Sequence, residues 1–143
     1  MTWADGPWVA DTSAWARAAT REVAPRWRRV VKVGNLVACP PVTMEMIFDA
    51  PDRKAVDEVA TAMAGFRQAT ITRSVTDAAI WAMRELAARG AAGAHRVRVP
   101  DALVAAAAAE RGFGVLHYDR HFDTLATVLS FTSQWVAPPG SIA

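Results

Sequence analysis

Short apolar runs alternate with amphipathic stretches along this chain, and turn residues mark nearly every change. Trp8-Val9-Ala10 has no polar position and is followed at once by Asp11-Thr12-Ser13, three residues that cap helices well. A buried strand and then a helix over 14–20 are predicted. Pro25 opens a second helix over 26–33, which Gly34 and Asn35 close. Residues 36–38 read as a brief extended segment, and Pro40-Pro41 start a helix towards Asp49. After Pro51-Asp52, the residues Val56, Val59, Ala60 and Met63 share a stripe at helical spacing that Gly65 ends.

The second half continues the pattern. Residues 69–72 are short and β-branched, which predicts a strand. Ser74 and Asp77 have capping-box spacing, and the helix beyond them, with Ala78, Trp81 and Leu86 turned inward, stops at Gly90. A small-residue loop leads through Pro100 into an alanine-rich helix that Gly112 ends. A strand over 115–118, a short helix over 121–127 and a strand over 130–136 complete the prediction. Strands separated by helices imply an α/β fold, a parallel sheet flanked by helices on both faces. At 143 residues, one domain over 1–143 is expected.

Hydrophobic residues make up 52% and charged residues 21%, a globular balance. The net charge of +2 permits a nucleic-acid partner without requiring one, although Arg26, Arg28, Arg29 and Lys32 crowd one segment. Cys39 is the single cysteine, which excludes an internal disulfide and a multi-cysteine zinc site. The N-terminus lacks the pattern of a signal peptide, and the alanine-rich run is too short to cross a membrane. A protein of a reducing cytoplasm, with no membrane partner, is expected.

Four acids change the picture. Asp11 and Asp119 each follow a predicted strand, Asp101 follows Pro100 at the start of the alanine-rich helix, and Glu45 lies in the helix after Pro40-Pro41. In open α/β sheets, ligands gather outside the carboxyl ends of the strands. Converging carboxylates repel unless a cation sits among them, and their oxygens suit Mg²⁺ or Mn²⁺. Each acid also has a plainer role: Asp11 as a helix cap, Asp101 as a partner of a helix dipole, Glu45 on a solvated face, Asp119 in a turn. Thr12 and Ser13 could cap as well as Asp11, which favours a functional Asp11. His95, His117 and His121 show no metal-ligand spacing, and His117 reads as packed in a strand.

These motifs, in this order, resemble the PIN-domain proteins, specifically the VapC-type toxins of bacterial toxin–antitoxin pairs. The resemblance rests on Asp-Thr-Ser-Ala-Trp from Asp11, the Glu after Cys39-Pro40-Pro41, Pro-Asp-Ala-Leu-Val-Ala-Ala from Pro100, and Leu-His-Tyr-Asp-Arg-His-Phe-Asp from Leu116. It implies a PIN-like three-layer fold and a metal-dependent endoribonuclease cutting tRNA or ribosomal RNA to a 5′-phosphate and a 3′-hydroxyl. Asp11, Glu45, Asp101 and Asp119 match the acidic quartet as catalytic and metal residues, with Mg²⁺ or Mn²⁺ as cofactor and Asp11 and Asp101 as its main holders. Ser13 matches a small hydroxyl residue, here expected to touch substrate. His121 stands where the family often has a further acid. A VapB-like antitoxin and a homodimer or larger toxin–antitoxin complex are the implied partners.

Two other readings compete. A phosphohydrolase with Asp11 as nucleophile would want a second acid two places on, where Ser13 stands, and a suitably placed Lys. A catalytically idle PIN-fold module binding RNA or protein would not require the intact quartet.

Overall fold

The computed structural model describes residues 3–143. Among them, five strands form one sheet: β1 (Trp8–Ala10), β2 (Leu36–Ala38), β3 (Arg67–Gln68), β4 (Gly114–His117) and β5 (Ser133–Trp135). Their order is β3-β2-β1-β4-β5, and every neighbouring pair is parallel. The helices are α1 (Thr12–Trp15), α2 (Ala24–Lys32), α3 (Pro40–Asp49), α4 (Arg53–Ala64), α5 (Arg73–Arg89), α6 (Val99–Arg111) and α7 (His121–Leu125).

The central strands carry no polar side because both of their faces are covered. Val9, Val37 and Val115 enter one core with residues of α3, α5 and α6, including Val42, Val75 and Val104. Their neighbours Trp8, Leu36 and Leu116 point the other way, onto Ala14, Trp27 and Val30 of α1 and α2. Gly114 has to be glycine because a Cβ there would collide with the indole of Trp8 on the adjacent strand.

Two expectations shift for identifiable reasons. The strand expected at 69–72 lies earlier, at Arg67–Gln68: the ladder on β2 ends when Ala69 N–H donates to Ala38 O at 2.7 Å. Thr72, rather than Ser74, then caps α5, its Oγ1 accepting from Val75 N–H at 3.3 Å. Trp81, expected inside, is 48% exposed. The buried stripe of α5 is Val75, Ala79, Ala82 and Leu86, which lets the helix lie close against the alanine-rich face of α6. Trp81 falls outside that stripe. The first helix is also shorter than expected, and successive turns replace it after Trp15.

This topology fixes the place of the site. β1 sends its chain to β2 on one side and pairs with β4 on the other, so the sheet changes direction at β1. Loops leaving adjacent strands on opposite faces open a crevice at their carboxyl ends. A helix that precedes a parallel strand runs against it, so α6 brings its N-terminus to the same end from which β1 and β4 emerge.

Candidate metal centre

Asp11 leaves β1 directly above the neighbouring strand, its N–H donating to Leu116 O at 2.9 Å. It is the N-cap of α1: Oδ2 accepts from Ser13 N–H at 3.0 Å and from Ser13 Oγ at 2.6 Å. Oδ1 is buried without a hydrogen-bond partner, in a side chain only 2% exposed. Burial raises its pKa and the nearby Glu45 adds to the rise, while the Ser13 hydrogen bonds oppose it. Ser13 thus orients the first acid, and it also lines the groove beside it. Its Oγ also accepts from Tyr118 N–H at 2.9 Å and so ties the end of β4 to Asp11.

Asp101 is the third residue of α6, behind Pro100, where the helix dipole favours negative charge. It has no exposed surface, and its Oδ1 likewise finds no partner. Burial pushes its pKa up to about 8, helped by Asp11 and Asp119, opposed by Arg98, and raised further by Glu45. The other three acids therefore all lie within electrostatic reach of Asp101.

Glu45 projects from α3 between two donors. Thr12 Oγ1 donates to its Oε1 at 3.0 Å, and an Arg98 guanidinium nitrogen donates to its Oε2. Asp119 follows β4 by two residues, and its Oδ1 accepts from His121 N–H at 2.9 Å. His121 Nδ1 lies 3.2 Å from Asp101 Oδ2 and 3.8 Å from Asp119 Oδ1. Asp101, Asp119 and His121 each place one ligand atom within 4.8 Å of the others. Sequence spacing had set His121 aside. The signal that could have included it was its position two residues after Asp119, where the resemblance leads one to expect another acid.

Asp123 takes no part in this cluster. Its Oδ1 accepts from Ser133 Oγ and its Oδ2 from Trp135 Nε1, on the far side of β4. His117 is buried in its strand, as expected, and burial lowers its pKa to about 4. Burial likewise pushes the Cys39 thiol up to about 12, so it stays an unreactive core residue.

The donors suit a hard divalent cation. Two buried carboxylates with orphaned oxygens are costly unless a proton or a cation satisfies them, and carboxylate and imidazole are both ligands that Mn²⁺ accepts. A groove of about 730 Å³ adjoins the acids, lined by Thr12, Glu45, Arg98 and the exposed Met44, Phe48 and Val99.

The chain is similar to known proteins both in sequence and in fold. The family model described as PIN domain matches residues 9–128. The chain is 32% identical over 134 residues to Ribonuclease VapC18 of Mycobacterium tuberculosis, covering 92% of this chain and 96% of that one. It is 30% identical over 135 residues to Ribonuclease VapC51 of the same organism, covering 94% and 96%. The fold is similar to DNA-bound VapBC from Salmonella typhimurium, with a TM-score of 0.69 at 14% identity over 91% of this chain and 98% of that one. VapBC2 from Rickettsia felis, bound to a promoter DNA fragment, gives a TM-score of 0.68 at 10% identity over 90% and 97%.

Proposed function

The chain belongs to the PIN domain family, and on that premise we propose that it is a divalent-metal-dependent endoribonuclease, the toxin of a VapBC-type toxin–antitoxin pair. The observation that carries the reading is the pair Asp11 and Asp101, both buried with an orphaned oxygen on each, and with Asp101 in the charge field of Asp11, Asp119 and Glu45. A cap or a helix dipole accounts for an acid at each place singly, but not for the buried, unpartnered oxygens of Asp11 and Asp101.

Asp11, Asp101, Asp119 and Glu45 would hold Mg²⁺ or Mn²⁺, with His121 beside them. Such an ion, when bound, neutralises charge on a phosphodiester and acidifies water, so the chain need not supply a separate base. The protein's own work is placement. Ser13 fixes the rotamer of Asp11, the N-terminus of α6 keeps Asp101 ionised when a cation is present, and Thr12 with Arg98 aims Glu45. The groove beside the acids has apolar walls for bases at Met44, Phe48 and Val99, and a guanidinium for phosphate at Arg98.

The substrate would be a folded cellular RNA, tRNA or ribosomal RNA, met in the cytoplasm. A VapB-like antitoxin would cover the groove, and toxin copies would pair in the complex. Among the described residues no helix is long and apolar enough to cross a membrane.

Incubation of the purified chain with total RNA tests the enzyme: cleavage is expected with added Mg²⁺ or Mn²⁺ and none in chelator. Full cleavage in chelator would overturn the metal reading. Expression alone should slow growth and co-expression with the adjacent open reading frame should restore it; unimpeded growth at high levels of folded protein would overturn the toxin reading.

A further inference from the structure

We infer that His117 is a positioning residue for Asp119, set in its working tautomer by Ser133 and Asp123; the inference rests on the metal reading above. The argument begins with a carboxylate, which only accepts hydrogen bonds. Asp123 Oδ1 lies 2.7 Å from Ser133 Oγ, so the serine proton points at Asp123. Asp123 Oδ2 is held by Trp135 Nε1–H at 2.8 Å. With its proton so directed, Ser133 Oγ accepts from His117 Nε2 at 2.7 Å. The imidazole therefore carries its proton on Nε2 and keeps a lone pair on Nδ1. That lone pair accepts the Asp119 N–H at 3.1 Å.

Every donor in this chain runs in one direction, from the Asp119 backbone to Asp123. The ring has little freedom to turn: it stacks on Phe122 at 4.9 Å between centroids and meets Trp135 edge-on at 5.0 Å. Asp119 is thus held twice. His117 fixes its backbone N–H, and its own Oδ1 takes the His121 N–H. A loop residue two places beyond a strand would otherwise sample several backbone angles, and its carboxylate would spread with them. Outer partners of this kind are worth tenfold or more in metal affinity.

Two amide substitutions separate the two sides of the ring. In His117→Asn the side-chain oxygen stands near Nδ1 and still accepts the Asp119 N–H, but nothing reaches Ser133. In His117→Gln the amide nitrogen reaches Ser133 and the acceptor for Asp119 is lost. Mn²⁺ affinity measured by calorimetry should stay within about threefold of wild type for Asn and fall about tenfold or more for Gln. Val75→Ala, a buried core change beside Glu110 at the opposite end of α6 from Asp101, controls for destabilisation alone and should leave affinity unaltered. Equal losses in the two amide variants, or none in either, would overturn the inference. Wild type needs no variant for a second test: long-range ¹H–¹⁵N correlation should show His117 as the Nε2–H tautomer, and the Nδ1–H form would overturn it. A wild-type protein that takes up no Mn²⁺ would remove the metal reading itself, whereas uptake indifferent to His117→Gln removes this inference alone.

Discussion

His121 Nδ1 stands 3.2 Å from Asp101 Oδ2, across twenty positions of sequence, and the Arg98 N–H points at the same nitrogen from 3.3 Å. A histidine thus occupies the corner where an additional acid was to be expected. Imidazole binds Mn²⁺ and its heavier neighbours more readily than it binds Mg²⁺.

His121→Ala should therefore weaken Mn²⁺ binding about tenfold and Mg²⁺ binding less, while His121→Asp should keep both and shift the preference towards Mg²⁺. Calorimetric titration of the two ions decides it. Equal affinities in wild type and His121→Ala would place the ring outside the metal's reach.

Asp119 and Asp123 should separate cleanly. Asp119 faces Asp101 and His121, whereas both oxygens of Asp123 are held by Ser133 and Trp135. Asp119→Asn is expected to lose most single-turnover cleavage. Asp123→Asn keeps an oxygen that can accept from Ser133 and should stay within a small factor of wild type. A dead Asp123→Asn beside an active Asp119→Asn would reverse the assignment.

Metal-free stability should show two opposed pH dependences. The Asp101 pKa, about 8 in the folded chain against roughly 3.9 unfolded, makes the native state hold a proton that the unfolded state releases. Stability therefore falls as pH rises through that window and levels off above about 8; Asp11, also raised, acts with the same sign. His117, about 4 folded against roughly 6.5 unfolded, works the other way, and stability is lost as pH falls from 6.5 to 4. Between pH 6.5 and 8 only the carboxylates remain, with a slope of at most about 1.4 kcal/mol per unit for each proton. Thermal melts in chelator should fall over that range for wild type and much less for Asp101→Asn. The variant should melt higher than wild type at pH 8 and gain little from added Mn²⁺. A wild-type melt that does not change from pH 6.5 to 8 would show that the acids are ionised without metal.

The basic segment on α2 offers phosphate contacts at Arg28, Arg29 and Lys32, all exposed; Arg26 is engaged with Glu22 O and Val136 O. If the three reach RNA, removing each should flatten the slope of log affinity against log salt by about 0.7. Binding by cleavage-deficient Asp11→Asn protein, with and without the triple Ala change, measures it. An unchanged slope would assign the segment to solvent.

Much of this was legible in the chain itself, for physical reasons that also explain the gaps. β1 and β2 were visible because a strand covered on both faces must be apolar at every position. β3 was not, because Arg67 and Gln68 are exposed and belong to the sheet only through their backbone pairing with Val37 and Ala38. Trp81 lies outside the buried stripe because close helix packing against α6 favours the alanines Ala79 and Ala82 there. Asp11, Asp101 and Asp119 were marked by their places at strand ends and after a proline. Arg98 depends on a partner 53 positions away and His117 on one 16 away, which only the fold brings near, whereas His121 was marked only by its place two residues after Asp119.

The bond from Asp11 N–H to Leu116 O has a consequence for how the molecule breathes. Asp11 is joined to the middle of the sheet, with paired strands on both sides of β1, so its amide can exchange with solvent hydrogen only when the central strands separate. Glu45 sits instead on α3, and its tethers are side chains, Thr12 and a half-exposed Arg98. The backbone of one acid is thus tied into the sheet itself, while the carboxylate of the other is held by side chains alone. Amide exchange should divide the centre along that line, slow at Asp11 and Leu116 and faster along α3.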